Sequence, residues 1–282
     1  MPEEKINVMV NGLPGNMASK VAEHISRNRE NFFLVDYSLT GQEIEQEHYG
    51  DNDLGVIRLI KLIKPSTRDS KIEEVISKYY PFISVDFTHP NAVNTNGYFY
   101  CRHELPFVMG TTGGDRKALE DRVKVSDISA VIAPNMAKQI VAFQAMMQHA
   151  SENFPNVFED YALEIVESHQ KGKADTSGTA KAMVGYFNKL GIPFKPEQIV
   201  MIREPEIQKE KGIPDEYLTG HGWHTYTLKS KDGTVLFEFT HNVNGRDIYA
   251  SGTIDAVVYL DKKVKEGSKG QVYSMIDVLK GK

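Results

Sequence analysis

INVMVNGLPGNMASKVAEHISRNRENFFLV, residues 6–35, decides the fold. An apolar run over Ile6–Val10 leads into a turn, Gly12-Leu13-Pro14-Gly15-Asn16-Met17-Ala18; helical spacing follows over Ala18–Ile25 and a second apolar run over Phe32–Val35. The pattern predicts strand, turn, helix, strand. Glycines at such a turn let the backbone bend tightly, and their amides meet a pyrophosphate at the start of the helix. Ala18 stands where the usual fingerprint has its third glycine, a mild departure at a helix-packing position. A purely structural turn is the competing reading.

Working outward, Phe82–Pro90, Pro106–Gly114 and Ala130–Met136 read as buried strands ending in polar residues or glycine. Helical patterns at Lys71–Tyr79, Ala92–Cys101 and Arg116–Val123 separate them, the alternation of a parallel sheet with crossovers. The strand ends at Thr88 and at Gly110-Thr111-Thr112 lie where ligands of such sheets bind. An acidic residue about 20 positions beyond the glycines accepts hydrogen bonds from an adenosine ribose in this fold, and Asp36 is near that distance. The alternative is that Asp36 misses the ribose while Ser38 and Thr40 offer hydroxyls to a 2′-phosphate, so NADH and NADPH both stay open.

Past residue 135 the texture changes. A helix over Lys138–Asn153 is followed by longer alternating strands, YALEIVESH, HTYTLKS and TVLFEFTHNV, with a hairpin turn at Lys231–Gly233. This half reads as an antiparallel or mixed sheet. Met201–Tyr217 reads as loop. SGTIDAVVYLDKKV reads as a helix whose Ser251, Gly252 and Ala256 permit close packing.

Glu167 to Thr179, ESHQKGKADTSGT, concentrates a histidine, two lysines and a Ser-Gly-Thr turn in one segment. Lysine supplies cationic charge for a carboxylate, amides near Gly178 and Thr179 suit a second one, and histidine moves protons near neutrality. A solvated basic loop with a helix cap at Ser177 or Thr179 is the bland alternative. Metal binding is not expected, since His221 and His224 have no cysteine or carboxylate near them in sequence. No G-x-S-x-G elbow is present for a serine nucleophile.

The 282 residues suit two domains, with 40% hydrophobic and 25% charged side chains as in ordinary globular proteins. A net charge of −5 argues against general attraction to nucleic acid or anionic membranes. No apolar stretch approaches the roughly 20 residues of a membrane span. The single cysteine, Cys101, reads as a small buried apolar residue. The expected compartment is the cytosol, or the plastid stroma for a chain derived from a plant precursor.

In order, NGLPGNM, VDFTHP, VMGTTG, IAPNM, EIVESHQKGKADTSGTAKAM, FEFTHNVNGRDIYASGTIDAVVYL and VYSMIDVL resemble the dihydrodipicolinate reductase family, with ESHQ followed by DTSGTAK most similar to its plant-type branch. The resemblance implies an α/β protein: a Rossmann-like dinucleotide-binding domain, residues 1–135 completed by 247–282, and an α+β substrate and oligomerisation domain with a mixed sheet, 136–246. It implies a homo-oligomer, dimer or tetramer, that reduces a cyclic dicarboxylate with NADPH, NADH being possible. Domain closure is expected to join the halves of the site.

The resemblance also implies roles. His169 matches a proton donor, Lys173 a lysine assisting protonation and binding substrate, and Gly178 with Thr179 a carboxylate-holding pair, with Gln170 and Ser177 as further substrate-binding residues. Gly12, Gly15, Asn16 and Met17 match the pyrophosphate turn. Thr88, Gly110, Thr111, Thr112, Ala133, Asn135 and Met136 match the nicotinamide side, and Arg246 an arginine near the cofactor. Gln170 replaces a second histidine, and Thr176 stands where a proline is usual. The rival readings are a reductase of another small imino or keto acid and a non-catalytic dinucleotide sensor.

Overall fold

The computed structural model describes residues 5–51 and 58–281. These form two units, Met1–Lys138 with Asp247–Lys282, and Gln139–Arg246. In the first, β1 (Ile6–Asn11) is buried on both faces, as its unbroken apolar run requires of a central parallel strand. After the glycine turn, α1 (Asn16–Arg27) buries Ala18, Val21, Ala22 and Ile25, one face of a helix. The chain continues through β2 (Phe32–Leu34), β3 (Tyr37–Leu39), β4 (His48–Asp51), β5 (Arg58–Ile63) and α2 (Arg68–Tyr79). Then follow β6 (Ile83–Asp86), α3 (Val93–Arg102), β7 (Phe107–Met109), α4 (Arg116–Lys124) and β8 (Ala130–Ile132).

β1 pairs in parallel with β2 on one side and β6 on the other. The chain therefore reverses its direction of sheet growth beside the glycine turn, and ligands bind at such a switch point. A separate three-stranded sheet, β3-β5-β4, is not foreseen from the sequence. Cys101 is buried and free, as expected.

The second unit carries most of α5 (Lys138–Asn153), then β9 (Ala162–His169), α6 (Gly178–Lys189), β10 (Val200–Ile202), α7 (Pro205–Glu210), β11 (His221–Lys229) and β12 (Leu236–Asn244). Its sheet has the order β10-β9-β11-β12 and is mixed, with β10 parallel to β9 and the other pairings antiparallel. One face is apolar: Ile165, Tyr226 and Leu228 join Met147 of α5 and Met183, Val184 and Phe187 of α6 in one core. The expected loop at 201–217 is corrected. It begins in β10 and contains α7, whose Pro205 occupies a first-turn position that needs no amide donor; both elements are too short to show a period.

The chain then returns to the first unit with α8 (Asp247–Lys265), β13 (Val272–Tyr273) and α9 (Met275–Lys280). β13 adds the outer strand of a six-stranded sheet, β13-β8-β7-β6-β1-β2. In α8, Gly252 lies so close to the Met136 carbonyl that a Cβ would meet it at 1.8 Å. Ala256 is also buried, whereas Ser251, expected at the same contact, faces outward.

Candidate active site

Gly12 has φ +108°, and a Cβ on it would fall 2.2 Å from the Phe87 carbonyl oxygen, so only glycine fits. The turn is tied down by Gly12 N–H donating to Leu39 O and Gly15 N–H to Gly12 O, both at 2.8 Å. Gly15 caps α1 without any side-chain hydrogen bond to the first turn. The first amides of α1, at Asn16 and Met17, thus keep their capacity to bind an anion.

Beside the turn lies a crevice of about 700 Å³, lined among others by Gly12, Gly15, Thr40, Arg68, Thr88 and His89. Behind Thr88 stands Asp86, wholly buried. Its carboxylate accepts from Thr88 N–H (3.0 Å), Thr88 Oγ1 (2.8 Å), Thr111 Oγ1 (2.7 Å), Asn96 Nδ2 (3.0 Å) and Tyr100 OH (2.7 Å). One carboxylate therefore fixes two expected cofactor residues on neighbouring strand ends, β6 and β7. Arg68 joins this network by donating to Asn96 Oδ1 at 2.9 Å, with its guanidinium 4.7 Å above the Phe99 ring. Asp86, Asn96 and Arg68 were not singled out from sequence; Asp86 sat inside the quoted VDFTHP but shows its role only through partners on α3 and β7.

Two sequence expectations are corrected. Asp36 does not line the crevice; its carboxylate accepts from Tyr79 OH at 2.8 Å. Ser38 is fully buried, accepting from Leu13 N–H and donating to Leu39 O, and Thr40 Oγ1 donates to Leu13 O at 2.7 Å. Both hydroxyls are spent on shaping the turn.

At the remaining strand ends, Gly110 packs against the Phe87 ring, Thr112 is exposed, and Ala133 and Met136 are buried. Asn135 Oδ1 caps the Ala137 amide at 2.9 Å. Arg246 belongs to the second unit, where its guanidinium lies beside Gly220.

In the second unit, strand pairing sets Glu167 of β9 opposite His224 of β11, with His169 two residues on and on the same side as Glu167. Glu167 is completely buried. Oε1 accepts from Arg203 Nη2 at 2.5 Å, and Oε2 accepts from Ser177 N–H at 3.0 Å. Arg203 also donates from Nε to Lys173 O at 2.8 Å, so a single guanidinium holds the strand carboxylate and the lysine loop together. His169 donates Nδ1–H to His221 O at 3.0 Å, a carbonyl that can only accept. Its Nε2 is buried without a partner.

The segment from His169 to Thr179 runs from the end of β9 to the first turn of α6. Lys173 N–H closes a turn onto Gln170 O at 3.0 Å, and the Lys173 side chain is half-buried. Ser177 Oγ caps α6 by accepting from Thr179 N–H at 3.2 Å, and Gly178 is exposed with open space beside it. Lys171 is exposed, 3.7 Å from Glu204. The reason for not expecting a metal is also corrected: a carboxylate does lie near His224, brought there by strand register rather than by sequence.

Beyond His169 the cluster runs inward. The His224 ring stacks on His241 at 4.6 Å and meets His169 edge-on at 5.1 Å. Burial pulls His169 and His241 down from 6.5 to about 4, and His224 to about 2; Glu167 opposes the shift at His169 without overcoming it. These imidazoles are neutral at pH 7.

The unfolded chain takes up their protons near 6.5 and the folded one only well below. Stability is therefore full above about 6.5 and falls as the pH drops toward about 4. Each group titrating in only one state changes stability by about 1.4 kcal/mol per pH unit. Urea unfolding at pH 7.5 and pH 5 is expected to show a lower midpoint in acid; an unchanged or higher midpoint would contradict this account.

Residues 6–136 match the family model described as dihydrodipicolinate reductase, N-terminus, and residues 140–279 match its C-terminus counterpart. A protein of Oryza sativa subsp. japonica named probable 4-hydroxy-tetrahydrodipicolinate reductase 2, chloroplastic, is 42% identical over 274 residues, covering 97% of this chain and 82% of that protein. The Arabidopsis thaliana 4-hydroxy-tetrahydrodipicolinate reductase 2, chloroplastic, is 44% identical over 280 residues, 99% of this chain and 78% of that protein. Among solved structures, a dipicolinate-bound dihydrodipicolinate reductase from Paenisporosarcina sp. TG-14 shares the fold at TM-score 0.65 and 20% identity, covering 96% of this chain and 98% of that one.

Proposed function

The chain belongs to the dihydrodipicolinate reductase family, and on that premise we propose how its residues carry out the nicotinamide-dependent reduction of 4-hydroxy-tetrahydrodipicolinate to tetrahydrodipicolinate, a step of lysine and diaminopimelate biosynthesis. The cofactor, when bound, supplies hydride. The first unit holds it: the amides of Asn16 and Met17, in the turn shaped by Gly12 and Gly15, receive the pyrophosphate, and the strand ends at Thr88, Gly110, Thr111, Thr112, Ala133, Asn135 and Met136 shape the nicotinamide end. The second unit holds the substrate. The Gly178 amide at the start of α6, with Thr179 next to it, binds one carboxylate, and the Lys173 ammonium, with Gln170 close in sequence, binds the other.

A proton must follow the hydride to the ring, and His169 or Lys173 delivers it. The observation that carries this reading is the fixed His169 tautomer, Nδ1–H on the His221 carbonyl, which leaves Nε2 unpartnered to take and release a proton. Burial keeps that imidazole neutral in the free protein. The charges of a bound dicarboxylate raise its proton affinity when transfer is required.

NADPH is the proposed cofactor. Asp36, which would repel a 2′-phosphate, is withdrawn onto Tyr79, and Arg68 brings a cation to the crevice wall. The test is a coupled assay that generates the unstable substrate in place, run with NADPH and NADH on the wild-type chain and on Arg68→Gln. Loss of a charged hydrogen bond of about 1.5–3 kcal/mol is expected to raise the NADPH KM roughly 10- to 100-fold and the NADH KM far less, by whatever Asn96 loses in support. Equal effects on both dinucleotides, or a wild-type preference for NADH, would refute the role of Arg68; no turnover with either would refute the mechanism.

Exposed Leu236 and Phe237 on β12 support assembly into a dimer or tetramer. No described helix is long and apolar enough to cross a membrane. The names of the plant relatives support the plastid as the place of action if the chain comes from a plant.

A further inference from the structure

His224 is 4% exposed, yet neither of its ring nitrogens has a hydrogen-bond partner, and His169 Nε2 next to it is buried and equally unpartnered. Unpaired buried polar atoms are uncommon and cost about 1–3 kcal/mol each. Both rings face one carboxylate oxygen: Glu167 Oε2 lies 3.7 Å from His224 Nε2 and 4.0 Å from His169 Nε2. One ligand atom from each of the three residues falls within 4.8 Å of the others.

We propose that Glu167, His169 and His224 form a binding site for a divalent transition-metal ion, zinc above all, and that its occupation stops turnover by taking the lone pair of His169. Two imidazoles and one carboxylate are a zinc ligand set, with the fourth position left to water or a substrate carboxylate. Zinc bonds of about 2.0–2.2 Å in a tetrahedron separate ligand atoms by roughly 3.4 Å. The two distances to Oε2 need shrink by only a few tenths of an ångström.

The surroundings have the anatomy of a metal site. His169 donates its other ring nitrogen to a backbone carbonyl, the contact that fixes a ligating imidazole. The second oxygen of Glu167 is held by Arg203, which fixes the carboxylate. Its Oε2 also accepts from Ser177 N–H, and a carboxylate oxygen has a further lone pair for an ion. Arg203 and Lys173 oppose an incoming cation, which weakens its binding toward that of an inhibitory ion rather than a resident cofactor.

Ion binding stands on this geometry alone; only the inhibition rests on the role proposed for His169. The metal-free chain is titrated with cobalt(II) and followed by its visible ligand-field absorption, then with zinc in competition, and zinc is added to the coupled assay. A four-coordinate cobalt spectrum, its displacement by zinc, and zinc inhibition reversed by chelator are expected. His224→Gln is expected to keep metal-free turnover and to weaken metal binding by roughly tenfold or more, the scale on which even a lost supporting contact acts.

A wild-type chain without a cobalt spectrum, or zinc inhibition unchanged in His224→Gln, would overturn the site. Where His224→Gln does not fold, His169→Gln is read by cobalt absorption alone, and a retained spectrum overturns it equally. Zinc bound at full occupancy without loss of turnover would leave the site standing and remove His169 from proton transfer.

Discussion

Replacing His169 by glutamine is expected to lower kcat by about 10²- to 10⁴-fold, the range over which a positioned acid or base acts. Glutamine can still donate a hydrogen bond but carries no proton to give. Substrate KM should change much less, because the carboxylates are assigned to Lys173, Gly178 and Thr179. Lys173→Ala is expected to lose both turnover and substrate binding while the dinucleotide, bound by the other unit, keeps its affinity. Steady-state kinetics and fluorescence titration with the dinucleotide separate the two variants. A His169→Gln protein with wild-type kcat would assign the proton to Lys173 alone, and dinucleotide affinity lost in step with turnover would indicate damage to folding instead.

The largest stability effect is expected at Asp86. Truncation to alanine takes the carboxylate from four side-chain donors and one amide; Asn96 keeps Thr88 Oγ1 and Thr111 keeps the backbone carbonyl of residue 86, whereas Tyr100 OH, Thr88 Oγ1 and the Thr88 amide lose their acceptor. Breaking a buried charged network costs about 3–5 kcal/mol, and that is the loss expected from urea unfolding. Dinucleotide affinity should fall as well, since Thr88 loses its anchor and Thr111 the shorter of its two hydroxyl contacts. Asp86→Asn, which keeps one acceptor oxygen, should lose about half as much. A loss below about 1 kcal/mol in Asp86→Ala would mean that water replaces the carboxylate and that the network does not set the strand ends.

How far the molecule is legible in its sequence depends on whether information is local. Ile6–Val35 reads correctly because an unbroken apolar run, glycines and helical spacing follow one another within thirty residues. The β3-β5-β4 sheet does not, since β3 has three residues and finds its partner more than twenty positions later. The segment from His169 to Thr179 stands out by composition. Its supports do not: Arg203 and His224 reach Glu167 through strand pairing, which no spacing in the sequence reveals. Ser38 and Asp36 were nominated by position along the chain, and the structure uses both internally because Leu13 and Tyr79 lie against them.

The first unit is assembled from both ends of the polypeptide, with β13 and α8 arriving only after residues 139–246. During synthesis the inserted segment leaves the ribosome whole, whereas its companion waits for residues 247–282 to supply α8 and, at Val272–Tyr273, an edge strand. A stalled or prematurely terminated chain would thus display an unfinished parallel sheet, open to pairing with other nascent chains. C-terminal truncations should consequently be recovered as aggregates far more often than as soluble fragments.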